Sequence, residues 1–224
     1  MTSSTSAAGS STACTAVRSL AGRWALENAG KVYNHFMGTE VIPKLTYEEF
    51  RQLPDDGKRY ELIRGEVHLS PSPSTRHQLI LLNLSLSLGT YIKNARLGVL
   101  AFAPLDVCLN PDTALQPDLI FISSKRVEIV RENFVAGAPD LAVEILSRST
   151  AAHDRVTKLP LYAEAGVAEI WLIDPQVKTV EVLRLQGRKY VVDSTLAGDQ
   201  TLKSASFPGW GLPLPELFSS SPLR

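Results

Sequence analysis

The chain is expected to be an α/β (α+β) protein: a mixed β-sheet flanked by helices, with an N-terminal β-hairpin. Three observations predict this. Short runs rich in apolar and β-branched residues (GVLAFAPLDVCL, QPDLIFIS, PDLAVEILS and AEIWLIDP) are bounded by Pro, Gly, Asn and Asp, as strands are. The stretch HQLILLNLSLSLGTYIKN places Leu81, Leu84, Leu88, Tyr91 and Ile92 at spacings of three and four, as one face of a helix does. The helical pattern HDRVTKLPLYAEAG lies between PDLAVEILS and AEIWLIDP, so those two strands can pair in parallel through a crossover.

Length and composition bound the answer. A chain of 224 residues holds one ordinary domain, or one domain with a short appendage. With 44% hydrophobic and 21% charged residues it is composed like a soluble globular protein, which excludes wholesale disorder, collagen and coiled coil. Lys+Arg 23 balances Asp+Glu 23, so no bulk charge draws it to nucleic acid or to an anionic membrane, and a local patch would have to hold such a partner. Cys14 and Cys108 are too few and too far apart for a zinc knuckle or a disulfide framework, which fits a reducing, cytoplasmic setting. The longest apolar stretch, Leu79 to Leu88, is interrupted by Asn83, Ser85 and Ser87 and falls well short of a membrane span.

In chain order, residues 1–41 open with Ser, Thr, Ala and Gly, a composition that buries too little apolar surface to offset its ordering, and are expected to be a disordered tail or extension. No acid precedes Glu27 while Arg18 and Arg23 do, so an organellar transit peptide is the alternative. Residues 42–220 are expected to form the domain. Thr46, followed by Glu48 and Glu49, reads as the cap of a short helix, TYEEFRQL, ended by Pro54. YELIRGEVHLS reads as a hairpin turning at Arg64–Gly65. The long helix carries an ambiguity, because Leu82, Leu84, Leu86 and Leu88 also satisfy period two. Three strands of one sheet follow, then a second helix stopped by Gly166 and kinked or shortened by Pro160. A strand closed by Asp174-Pro175 and a hairpin turning at Gln186–Gly187 complete the order.

The chemistry concentrates on two strands and the second helix. Asp118 stands at the mouth of DLIFIS, and Glu144 lies between apolar neighbours in AVEILS, where burial is costly without a compensating cation or donor. Two carboxylates at the ends of neighbouring strands suit a hard divalent cation such as Mg²⁺. The bland alternative is that Asp118 caps a turn after Pro117 and that Glu144 pairs with a core Lys or Arg. Asp154, Lys158 and Tyr162 recur every four residues and share a helix face. From there Lys158 can reach the carboxylates and stabilise charge developing on a phosphorus centre. The alternative for Lys158 is an exposed intrahelical pair with Asp154.

YELIRGEV, HQLILLNL, QPDLIFIS, PDLAVEILSRST, DRVTKLPLYAEAGVAEIWLIDP and FPGWGLPLPELF, in this order, resemble the Uma-type restriction endonuclease family, a branch of the PD-(D/E)XK nuclease superfamily. The resemblance spans Leu45 to Phe218. It implies a restriction-endonuclease-like fold and an endonuclease that hydrolyses DNA with Mg²⁺ or Mn²⁺. Asp118, Glu144 and the carbonyl of Ile145 would hold the metal. Lys158 would position the attacking water, and Asp154 and Tyr162 would orient Lys158. His77 would help to line the site and Glu66 would be an additional acid, although a plain helix residue and a solvent-facing carboxylate are the simpler readings of those two. A homodimer is an expected state. The chain departs from the superfamily pattern at Leu146, where a lysine would follow the second acid by two residues. The lysine's role therefore maps onto Lys158, and a catalytically silent nucleic-acid- or protein-binding member is the competing reading. His153 neighbours Asp154 and is a candidate phosphate contact, whereas His35 and His68 carry no pattern. No GxSxG elbow, Walker loop or GxGxxG occurs, which leaves serine-hydrolase and nucleotide-binding readings unsupported.

Overall fold

A computed structural model of the chain describes residues 44–147 and 151–220. The tail expected over residues 1–41 lies outside the described residues. The described residues form two compact units, one comprising those up to Pro71 with Pro111–Ala114, the other Ser72–Asn110 and those from Leu115 onward.

In the first unit Thr46 caps α1 (Tyr47–Phe50). Its side chain accepts from the Glu49 N–H, and the Glu49 carboxylate accepts from the Thr46 N–H at 2.8 Å. That backbone hydrogen bond holds the Glu49 carboxyl below its ordinary value. The expected hairpin is present as β1 (Arg59–Ile63) and β2 (Glu66–Ser70), turning through Arg64 and Gly65, both at positive φ. Leu62 of β1 also pairs with Ala114 of β5 (Thr113–Leu115).

The second unit is built on a six-stranded mixed sheet. Its strands are β3 (Gly98–Phe102), β6 (Leu119–Ser123), β8 (Leu141–Ile145), β9 (Glu169–Asp174), β10 (Thr179–Gln186) and β11 (Lys189–Leu196). They lie in the order β11-β10-β9-β8-β6-β3, and β8 and β9 run parallel as the crossover predicts. The long helix α2 spans Thr75–Ala95, with Ser74 as its N-cap. It buries Ile80, Leu81, Leu84, Leu88 and Ile92. Leu82 and Leu86, which supplied the period-two signal, are 41% and 59% exposed, so the helical spacing is the one that carries burial.

One expected strand divides. GVLAFAPLDVCL forms β3 and then β4 (Asp106–Asn110), because Pro104 has no N–H to donate to a ladder. Only β3 joins the six-stranded sheet; β4 pairs in parallel with β7 (Phe134–Ala136), a strand that the sequence reading does not contain. Gly98 is required where β3 meets β6, since a Cβ there would stand 2.0 Å from the Ile122 carbonyl oxygen.

The second helix starts earlier than expected. α3 (Ala151–His153) runs into a π-helical turn (Asp154–Lys158) and then α4 (Leu159–Ala165), ended by Gly166 at φ 85. The distortion foreseen at Pro160 lies just ahead of it, where the Leu159 N–H bonds to the Asp154 carbonyl across a wide π turn.

Leu141, Val143 and Ile145 of β8 point into one apolar cluster with α2, Trp171, Phe207 and Trp210. The pleat therefore sends Ala142, Glu144 and Leu146 to the opposite face. The late segment FPGWGLPLPELF closes the cluster. Trp171 and Trp210 stack at 5.7 Å, and β12 (Thr201–Leu202), β13 (Leu212–Pro213) and α5 (Leu214–Leu217) follow one another along the chain. The Asn83 amide ties α2 to this segment through the carbonyls of Glu216, Leu217 and Ser219.

Candidate active site

The pairing of β6 with β8 ends at Leu119 opposite Val143. Beyond that point the chain enters Pro117-Asp118, and the Ile145 N–H is met by a side chain: Asp118 Oδ2 accepts it at 2.7 Å. The ladder thus delivers Asp118 to the residue next to Glu144. N–H and C=O of one strand residue face the same edge, so the Ile145 carbonyl lies on the edge toward Asp118.

His77, in the first turn of α2, holds the same oxygen. Its Nε2 lies 3.0 Å from Asp118 Oδ2, and its Nδ1 is buried with no hydrogen-bond partner among the described residues. Oδ2 therefore carries two contacts, and Oδ1 has no partner among the described residues.

Glu144 is reached from the helix on its face of the sheet. The Tyr162 hydroxyl donates to Glu144 Oε1 at 2.6 Å, and Lys158 Nζ lies 3.3 Å from the same atom. Lys158 Nζ also lies 3.5 Å from Asp154 Oδ1. Asp154, Lys158 and Tyr162 are all buried, so this is no exposed helix-surface pair. Tyr162 bonds to Glu144, and both Glu144 and Asp154 lie beside Lys158. The Arg155 side chain leaves the same π turn in the other direction and grips Glu181 of β10 through two bonds of 2.9 and 2.7 Å. Those bonds hold the guanidinium above its ordinary value and pin the turn to the sheet.

The structure thus brings six expected side chains together as two linked groups: His77 with Asp118, and Glu144 with Asp154, Lys158 and Tyr162. Ile145 joins them through its backbone. His153 lies partly buried immediately before Asp154. Glu66 is an exposed residue at the hairpin end of β2 in the other unit.

Two buried acids escape the sequence reading, Glu61 of β1 and Glu169 of β9. Glu169 sits in AEIWLID as Glu144 sits in AVEILS, and the two are alike by pattern. Their partners differ. The Trp171 indole N–H reaches Glu169 Oε1 at 2.7 Å, while the hydroxyls of Ser204 and Ser206 and the Arg184 guanidinium reach Oε2 at 3.0, 3.0 and 3.3 Å. Glu169 shares the face of Trp171 and fastens the late segment to the sheet; it is a structural anchor.

Among the described residues no three His, Cys, Asp or Glu side chains are disposed as a metal cage. The donors present are carboxylate and carbonyl oxygens, the set a hard divalent cation takes together with water. Among the described residues, Asp118, Glu144 and Asp154 are buried carboxylates and Lys158 is the buried ammonium beside two of them.

Comparison with known proteins gives two findings. Residues 47–215 match the family described as "Uma2: Putative restriction endonuclease". A solved structure described as "a putative nuclease belonging to DUF820 from Anabaena variabilis" superimposes with a TM-score of 0.64 at 25% identity, covering 78% of this chain and 97% of that one. No curated protein matches the chain.

Proposed function

The chain belongs to the Uma2 family, and from that premise we propose that it is a metal-dependent endonuclease hydrolysing the phosphodiester bonds of DNA. The observation that carries this reading is the convergence of two buried carboxylates from adjacent strand ends, Asp118 and Glu144, on the Ile145 peptide, an oxygen donor set that suits a hard divalent cation. Asp118, Glu144 and the Ile145 carbonyl are the groups that would hold Mg²⁺ or Mn²⁺. A divalent cation there supplies positive charge that polarises a phosphodiester oxygen.

The chain's own residues do the rest. His77 and the Ile145 N–H fix Asp118 by its Oδ2, leaving Oδ1 for the cation. Tyr162 fixes Glu144 by Oε1. Asp154 holds Lys158 so that its ammonium faces the attacking water and the charge that develops on phosphorus. Closure by apolar neighbours on β6, β8 and β9 keeps these groups poorly solvated, which strengthens each electrostatic contact.

One observation favours a second reading. Leu146 is buried where the superfamily pattern carries a lysine, and a member without that lysine can be a silent nucleic-acid- or protein-binding module. Supercoiled plasmid incubated with Mg²⁺ or Mn²⁺ separates the two. Nicking or linearisation by wild type, lost in Asp118→Ala, supports the nuclease; retarded but intact plasmid with both proteins supports the silent module.

A further inference from the structure

β11 is an edge of the six-stranded sheet, so the backbone groups on its outer side meet no strand among the described residues. On that edge Val191 and Val192 are 44% and 54% exposed. Exposed apolar edge strands are templates for pairing unless they are blunted. The hairpin register identifies the groups that face outward. With a two-residue turn at Gly187–Arg188, Gln186 and Lys189 form a hydrogen-bonded pair, and bonded and non-bonded pairs then alternate. Arg184 opposite Val191 is bonded, whereas Leu185 opposite Tyr190 and Leu183 opposite Val192 are not. The N–H and C=O groups of Tyr190 and Val192 therefore point away from β10.

Two copies of β11 that pair antiparallel through these four groups have one register, with a two-fold axis at Val191. Tyr190 then faces the partner's Val192, and Val191 faces the partner's Val191. Lys189 faces the partner's Asp193, and symmetry makes that charge pair twice. Lys189 and Val191 share the sheet face of Arg184, which lies directly opposite Val191 and reaches Asp193 at 3.3 Å, so Asp193 is on that face too. The bulge between Val182 and Leu183 falls at Asp193, leaving 189–192 as the regular stretch. The self-complementary charges argue for a second copy of this chain as the occupant, since an unrelated peptide would not need them.

We propose that β11 is a homodimer interface, pairing with the partner's β11 about Val191 and joining two six-stranded sheets into one. The proposal is independent of the nuclease reading. The full chain, 24.4 kDa, is followed by sedimentation velocity across a range of concentrations. Wild type is expected at twice the chain mass. Lys189→Asp and Asp193→Lys, which set like charges opposite each other twice, should each weaken the dimer about 10- to 100-fold. The double variant restores complementary pairs and should restore the dimer. Asp193→Lys also removes the Arg184 contact, so thermal midpoints are measured for all four proteins; Lys189 has no ion pair among the described residues, and its variant should melt as wild type does. A wild type that stays monomeric, a dimer indifferent to either single reversal, or a double variant that fails to regain it would overturn the interface.

Discussion

Lys158 is the residue on which catalysis turns in this account. It lies buried between Glu144 and Asp154, and its ammonium is the positive charge that the described residues bring to both carboxylates. Lys158→Met should retain Mn²⁺ and DNA binding while single-turnover cleavage falls on the order of 10²–10³-fold, the cost of removing a donor aimed at developing charge. Full activity would remove Lys158 from the reaction. Glu144 and Glu169, both buried, make a second test, because the same residue type serves opposite ends. Glu144→Gln relieves a crowded set of acids, so cleavage should vanish while the thermal midpoint holds or rises. Glu169→Ala leaves the buried Trp171 N–H without its acceptor and the Arg184 guanidinium with Asp193 alone of its two carboxylates, so stability should fall by about 1–3 kcal/mol while per-molecule cleavage persists. Equal behaviour of the two variants in both assays would contradict the division of roles.

At the scale of elements, the late segment is what closes the core over α2. The Trp210 ring stacks on Trp171 and its N–H reaches Ser87 Oγ at 3.1 Å, while the Tyr91 hydroxyl donates to the Pro208 carbonyl. Trp210→Ala should cost about 3–5 kcal/mol in urea unfolding, the range for deleting a buried aromatic side chain. A loss under about 1 kcal/mol would show that this segment does not seal the core. Much of this level was legible in the sequence. The hairpin at Arg64–Gly65, the long helix and the parallel pair around the second helix follow from period and turn residues, which are local signals. The destination of β4 was not legible, because pairing with β7 depends on a partner of three residues with no periodicity of its own. The π turn was legible only as a conflict between the helical pattern and Pro160. For the candidate site, residue types and spacing singled out Asp118, Glu144, Asp154, Lys158 and Tyr162. The bond from Ile145 to Asp118 and the seat of Tyr162 on Glu144 depend on strand register and helix docking, which no local pattern contains.

For the whole molecule, the Ser-, Thr- and Ala-rich composition before residue 42 gives that stretch little to bury. A chain beginning at Pro43 should melt at the same midpoint as the full chain by calorimetry, and a clear drop would place part of the fold in the removed stretch. Folding of the second unit places two acids from neighbouring strand ends beside one peptide, with a helix supplying a cation and a phenol, although Asp118 and Tyr162 are 44 positions apart in the chain. A divalent ion held by such an arrangement in the native state and not in the unfolded chain would also stabilise the fold by mass action. Calorimetric titration of the full chain with Mn²⁺, alongside Asp118→Asn and Glu144→Gln, examines that claim at its root. The account predicts saturable binding by wild type that each variant weakens at least about tenfold; isotherms unchanged in both variants would contradict it.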